Sequence, residues 1–166
     1  GQPGRDLNEA TADPAPLIVT ALFGAQDFAW LDGLRRRHFP PERNLVPAHC
    51  TLFHHLPPGL GPELKQRLSA ATRGIPAPAA RIAGVIDLGG GVALRIDCPG
   101  LEEIRDELAD AFAPLLLPQD RAGWRPHVTI QNKVDRPAAR RLLTQMRADF
   151  VPMPLQIAGL ASWWYR

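Results

Sequence analysis

Apolar positions along this chain follow two rhythms in turn. Residues 17–23 (Leu-Ile-Val-Thr-Ala-Leu-Phe) form a short, β-branched apolar run of strand length. Phe28, Leu31 and Leu34 then recur at helical spacing up to about Arg37. A turn-rich stretch with Pro40, Pro41 and Pro47 leads into His49-Cys50-Thr51-Leu52-Phe53, where polar and apolar residues alternate as along a half-buried strand. Gly61 and Pro62 open a second helix with Leu60, Leu64, Leu68 and Ala71 on one face, and residues 80–88 read as another strand. The first half is therefore strand, helix, strand, helix, strand.

The second half repeats that order. A strand is predicted at 92–97, and a helix follows Pro99 with Leu101, Ile104, Leu108 and Phe112 on one face. Next come a strand at 126–132, a helix N-capped by Asp135 that carries Ala139, Leu142, Leu143 and Met146, and a closing strand at 154–163. Gly89-Gly90-Gly91 lies where the halves meet and suits a tight connection, since glycine takes positive φ without steric cost. The pattern predicts an α+β fold: two mainly antiparallel sheets with helices on their outer faces and a cleft between two pseudo-symmetric lobes, about 17–90 and 91–166, of one domain. Residues 1–16 lack periodicity and are rich in turn formers, so they are expected to be a flexible N-terminal arm.

Composition narrows the class further. With 166 residues and 45% hydrophobic content, the chain can bury one substantial core. No window approaches the roughly 18 apolar residues of a membrane span, and no charged segment precedes an apolar run at the start. A cytoplasmic protein without a membrane partner, acting as a monomer, is the expectation. Two cysteines, Cys50 and Cys98, allow neither a disulfide framework nor a multi-cysteine zinc site, and both are expected to be buried thiols. A net charge of +2 is too small to imply non-specific nucleic-acid binding. Almost all the positive charge is arginine, which suits phosphate, although a genome's base composition produces the same bias.

The chemistry sits at equivalent places in the two halves. Each second strand carries His-x-Thr: His49-Cys50-Thr51 and His127-Val128-Thr129. Alternation puts His49 and Thr51 on one face with Cys50 and Leu52 behind, and likewise His127 and Thr129 with Val128 and Ile130 behind. A pseudo-twofold relation between the halves would face both pairs into one cleft. Phosphodiester hydrolysis needs a base, an acid and donors for the non-bridging oxygens. Imidazole titrates near 6.5, so one histidine can be neutral while the other is protonated, and the threonine hydroxyls can donate to phosphate oxygens.

These paired motifs resemble those of the two-histidine (2H) phosphoesterase superfamily, which includes the bacterial 2′-5′ RNA ligases and cyclic nucleotide phosphodiesterases. In that family an apolar residue follows each motif, as Leu52 and Ile130 do, and Arg125-Pro126-His127-Val128-Thr129-Ile130 is close to its usual second motif. The resemblance runs from about Leu17 to the end and departs from the commonest pattern at Gln131-Asn132. It implies a bilobal fold and metal-independent hydrolysis of 2′,3′-cyclic phosphates to 2′-phosphates without a cofactor. The substrate it implies is an RNA end or cyclic nucleotide, with reversible 2′-5′ joining in some members. It also implies His49 and His127 as the acid–base pair, with His127 as base and His49 as acid in hydrolysis, and Thr51 and Thr129 as phosphate ligands.

Other residues have weaker claims. Arg125 and Gln131 share the alternation face of His127 and are candidate substrate contacts, with Lys133 behind them. His54-His55 could suggest a metal site with His49, but neighbours on a strand point to opposite faces and no carboxylate is close in sequence, so no metal is expected. His55 continues the face of His49 and Thr51. Trp163, Trp164 and Tyr165 offer stacking faces, though core and edge packing is the ordinary role of such residues. Arg35-Arg36-Arg37 could steer a phosphate, or simply complement a helix dipole in solvent. The alternatives to an enzyme of this kind are a non-catalytic nucleotide- or RNA-binding module using the same cleft and, ranked last, a metal-dependent hydrolase.

Overall fold

The computed structural model of this chain describes residues 15–164; nearly all of the expected N-terminal arm, and Tyr165, lie outside them. Strands β1 (Leu17–Phe23), β2 (Cys50–Leu56), β3 (Ala79–Asp87), β4 (Val92–Asp97), β5 (His127–Gln131) and β6 (Met153–Trp164) are interspersed with five helices. These are α1 (Ala25–His38), α2 (Gly61–Thr72), α3 (Pro99–Ala111), the single turn α4 (Pro118–Arg121) and α5 (Arg136–Asp149). Their ends follow local chemistry. Asp135 accepts the Ala138 N–H at 2.8 Å and caps α5. Phe39 turns extended ahead of Pro40 and Pro41, which stops α1. The short helix α4 interrupts a segment that carries no periodic signal.

The strands form one sheet in the order β2-β1-β6-β3-β4-β5, antiparallel throughout. The α+β class holds, but one continuous sheet replaces the two expected. The reason is β6, which is 12 residues long and serves both sides. Its start, Met153–Gln156, pairs with β3, and Ile157–Trp164 pair with β1. The sequence halves thus exchange their closing strands, with β3 beside β4 and most of β6 beside β1. Leu17, Val19, Phe53, Leu94, Val128 and Ile157 join Leu31, Leu64, Leu101, Leu108 and Leu142 of the helices in one buried cluster. Burial of each such side chain contributes roughly 1.5–3 kcal/mol.

The two edge strands, β2 and β5, approach each other. The Cys50 thiol on β2 faces the backbone N–H of His127 on β5, and burial pushes that thiol up to about 12. Both edge strands also break register at the same place. Thr51 pairs with Thr20 but Phe53 with Val19, and Thr129 pairs with Ala93 but Gln131 with Val92. One extra residue, Leu52 or Ile130, is inserted directly after each His-x-Thr. Each bulge advances the alternation by one position. Phe53 and Gln131 therefore point to the core face, away from their threonines.

Candidate active site

His49 lies one residue before β2, and His127 is the first residue of β5. Their imidazoles are held identically. His49 Nδ1 donates to the Pro47 carbonyl at 2.8 Å, and His127 Nδ1 donates to the Arg125 carbonyl at 2.7 Å. A carbonyl can only accept, so Nδ1 carries the proton in the neutral ring and Nε2 keeps the lone pair. The chain around each ring is fixed as well: Ala48 N–H donates to Asp32 Oδ1 at 3.0 Å, and the Pro126 carbonyl accepts from Ile96 N–H at 2.9 Å.

Burial lowers the pKa of His49 below its ordinary value, only partly opposed by the bond to Pro47, and the positive potential of Arg35, His127 and His54 lowers it further. His49 thus feels the charge of His127 across the gap between β2 and β5. Thr51 and His127 line one cavity of about 180 Å³ together with His54, Trp124, Arg125, Gln119 and Asp120. Thr129 is half-buried on the face of His127. Arg125 is exposed and lines the same cavity from the segment before β5.

Gln131 does not join them. It is 6% exposed, sits behind the sheet opposite Val92, and its Oε1 has no hydrogen-bond partner among the described residues. The bulge at Ile130 is the cause, since it reverses the face on which Gln131 falls. The same phase shift in β2 brings His54, rather than His55, to the cavity. Lys133 sits in the turn beyond β5 with a left-handed φ of 64°, outside that cavity. Among the described residues no group of three or more His, Cys, Asp or Glu side chains could hold a metal ion, so His49, His54 and His55 do not gather into such a site.

Sequence reasoning missed the groups that hold these strands in place. Arg35 is not a solvated helix-end charge: it is 3% exposed, and it donates to Asn44 Oδ1 and to the Thr129 carbonyl, both at 2.9 Å. Its neighbour Arg36 does pair in solvent, with Asp32 at 3.6 Å. Arg105 donates to the Leu52 carbonyl at 3.0 Å and the Asp120 carbonyl at 2.7 Å. Trp124 Nε1 donates to the Thr51 carbonyl at 2.8 Å. The Asp120 carboxylate accepts from the backbone N–H of His54 and His55 at 2.9–3.0 Å and from His54 Nδ1 at 3.1 Å. Burial would raise the Asp120 pKa, but these donors outweigh it and hold the carboxyl below the ordinary value. One signal was available: Arg35 and Arg105 occupy positions on the apolar stripes of their helices, four residues after Leu31 and Leu101.

Comparison with known proteins identifies the family and the fold. The family model of the 2′-5′ RNA ligase superfamily matches residues 23–166. Among solved structures, E. coli LigT complexed with 3′-AMP is 20% identical, covering 90% of this chain and 84% of that one with a TM-score of 0.50. The apo form of E. coli LigT is 18% identical over 91% and 84% of the two chains, with a TM-score of 0.48. No curated protein sequence matches. At these identities the structural likeness concerns the fold alone, whereas the family match spans most of the chain and includes both His-x-Thr motifs. The chain belongs to the 2′-5′ RNA ligase superfamily of two-histidine phosphoesterases.

Proposed function

We propose that this protein hydrolyses a 2′,3′-cyclic phosphate, or a related cyclic phosphodiester, at the end of an RNA or nucleotide to a 2′-phosphate without a metal, and that a 5′-hydroxyl attacking phosphorus in place of water, as the bond to the 3′-oxygen breaks, joins RNA ends reversibly through 2′-5′ bonds. The observation that carries the proposal is the matched pair of Nδ1–carbonyl bonds at His49 and His127, which leaves two Nε2 atoms free for proton transfer. The complex of the related E. coli LigT with 3′-AMP supports a nucleotide-sized substrate.

In hydrolysis, one Nε2 removes a proton from water as the water oxygen bonds to phosphorus. The bond from phosphorus to the 3′-oxygen breaks, the other imidazole protonates that oxygen, and the phosphate stays on the 2′-oxygen. His127 serves as the base and His49 as the acid in hydrolysis, as the family resemblance implies, and the roles exchange when the reaction runs in reverse. The Thr51 and Thr129 hydroxyls donate to the non-bridging oxygens, whose charge grows in the transition state. Arg125, at the rim of the cavity, contacts the substrate's phosphate or base.

The test is hydrolysis of a 2′,3′-cyclic mononucleotide and of a short RNA with the same end, in excess EDTA, by wild type, His49→Ala and His127→Ala. Turnover in EDTA that disappears in both variants while they stay folded supports the mechanism. Turnover surviving in either variant would place the reaction elsewhere. Wild type that binds the substrate and leaves it unchanged would favour a binding module.

A further inference from the structure

The cavity lined by Thr51 and His127 extends past them to a histidine that the hydrolysis does not use. His54, three residues after Thr51 on β2, gives its Nδ1 proton to the Asp120 carboxylate at 3.1 Å. A carboxylate only accepts, so Nδ1 stays protonated and Nε2 is the ring atom left for other contacts. Asp120 is 1% exposed and also accepts the backbone N–H groups of His54 and His55. The His54 side chain is 39% exposed. The ring is therefore fixed at one nitrogen and open at the other, and a group fixed before binding loses little freedom when a ligand meets it.

The neighbours of His54 define what it can hold. Arg105 gives its donors to the Leu52 and Asp120 carbonyls, and Trp124 Nε1 gives its own to the Thr51 carbonyl. The Asp120 oxygens are turned to the β2 backbone and to His54 Nδ1. Beyond Thr51 and His127, the lining then consists of His54, the exposed Arg125 and the exposed Gln119. A protonated His54 presents an N–H and a positive charge, so all three offer donors and two are cationic, a set that suits phosphate oxygens. Three positions on a strand span about 10 Å, shortened to about 7 Å by one extra residue at a bulge. His54 thus lies beyond the group held at Thr51.

We infer that His54, aligned by Asp120, holds together with Arg125 a second phosphate of the substrate, carried on the 5′-oxygen of the ribose that bears the reacting group. This inference rests on the cyclic-phosphate reading above. With the 2′ and 3′ oxygens in the cyclic phosphate and C1′ joined to the base, the 5′-oxygen is the ribose position left for another phosphate. A terminal 5′-phosphate and an internucleotide phosphodiester present the same anionic oxygens there. His54 meets this second phosphate and not the reacting atoms, so it acts on substrate affinity and selects against a free 5′-hydroxyl.

The test compares wild type, His54→Gln and His55→Gln at about pH 6, the range in which imidazole takes up a proton. The substrates are adenosine 2′,3′-cyclic monophosphate, its 5′-phosphorylated form, and a dinucleotide ending in the same cyclic phosphate. The expected result for wild type is a KM about tenfold lower for at least one of the two 5′-phosphorylated substrates, with kcat within about threefold. Which of the two gains more shows whether the subsite takes a terminal or an internucleotide phosphate. His54→Gln should lose this advantage and keep its KM for the unphosphorylated compound within about threefold, while His55→Gln behaves as wild type. No advantage in wild type, an advantage that survives in His54→Gln, or its loss in His55→Gln overturns the inference. Calorimetric titration with adenosine 2′-phosphate and adenosine 2′,5′-bisphosphate separates this from failure of the hydrolysis reading. If wild type turns over none of the substrates but binds the bisphosphate about tenfold more tightly than the monophosphate, and His54→Gln does not, the second subsite stands and the hydrolysis reading falls. If wild type binds the two alike, binds neither, or shares its preference with His54→Gln, the subsite is overturned.

Discussion

Arg35 and Arg105 each clamp the edge strand of the other half of the molecule. Arg35 on α1 reaches the Thr129 carbonyl of β5, and Arg105 on α3 reaches the Leu52 carbonyl of β2. Each guanidinium also lies 4.2 Å from an aromatic centroid, Phe39 for Arg35 and Phe53 for Arg105. In the chain, α1 leads to β2 and α3 leads to β5. Each helix therefore steadies the strand it does not precede. An edge strand leaves backbone groups unpaired by any neighbour, and here arginine, tryptophan and aspartate side chains satisfy them next to the two threonines.

Replacing Arg105 with methionine should destabilise the fold by about 2–4 kcal/mol, because the buried Leu52 and Asp120 carbonyls lose their donor. Arg105→Lys should recover little of this, since an ammonium cannot fork to two carbonyls while stacking on Phe53. Urea denaturation of the three proteins checks the order.

The pH dependence follows from His49. Its folded pKa lies below the ordinary value near 6.5, so the folded state binds fewer protons than the unfolded chain just below that pH. Stability from this group is complete above pH 6.5 and declines as pH falls through it. His49→Gln should remove that part of the slope in urea midpoints measured between about pH 5 and 7.5.

Asp120 acts with the opposite charge and at lower pH. Its folded pKa is depressed, so its contribution is present above the ordinary carboxyl range and is lost as pH falls through the folded value. Asp120→Ala leaves the His54 and His55 N–H groups without their acceptor and should cost about 2–3 kcal/mol at neutral pH. Urea midpoints for this variant should also show a shallower loss of stability on acidification than wild type.

Gly91 permits the bulge in β5. A Cβ there would overlap the Gln131 carbonyl, backbone that cannot move without disturbing the strand end two residues from Thr129. Gly91→Ala should destabilise by about 1–3 kcal/mol, and kcat/KM should fall with it. Gly59→Ala, where a Cβ meets nothing, should leave both unchanged.

Local patterns carried a good part of this molecule. The two rhythms of apolar spacing located all six strands and the four longer helices to within a few residues, because alternation and helical stripes record which side chains must leave water. The Asp135 cap was legible for the same local reason. So were the candidate site residues His49, Thr51, His127 and Thr129, since repetition of one tripeptide at equivalent positions is visible without any knowledge of contacts. Residues 113–125 gave no signal, as a one-turn helix is too short to show a period.

What depends on a neighbouring strand was not legible. Bulges are defined by register against a partner, so simple alternation misplaced Gln131 and did not bring His54 to the cavity. Two sheets became one because β6 is long enough to pair on both sides, and only the packed chain decides with which strands. Arg35 and Arg105 look like surface charges until strands 94 and 53 residues away supply their acceptors. The sequence by itself determined the elements, most of their polar and apolar faces and the four candidate side chains of the His-x-Thr pairs, since those follow from backbone geometry, water and a repeated motif. The tertiary structure alone decided that the two edge strands meet and which groups brace them, because an edge carbonyl can be satisfied by any donor that folding brings near.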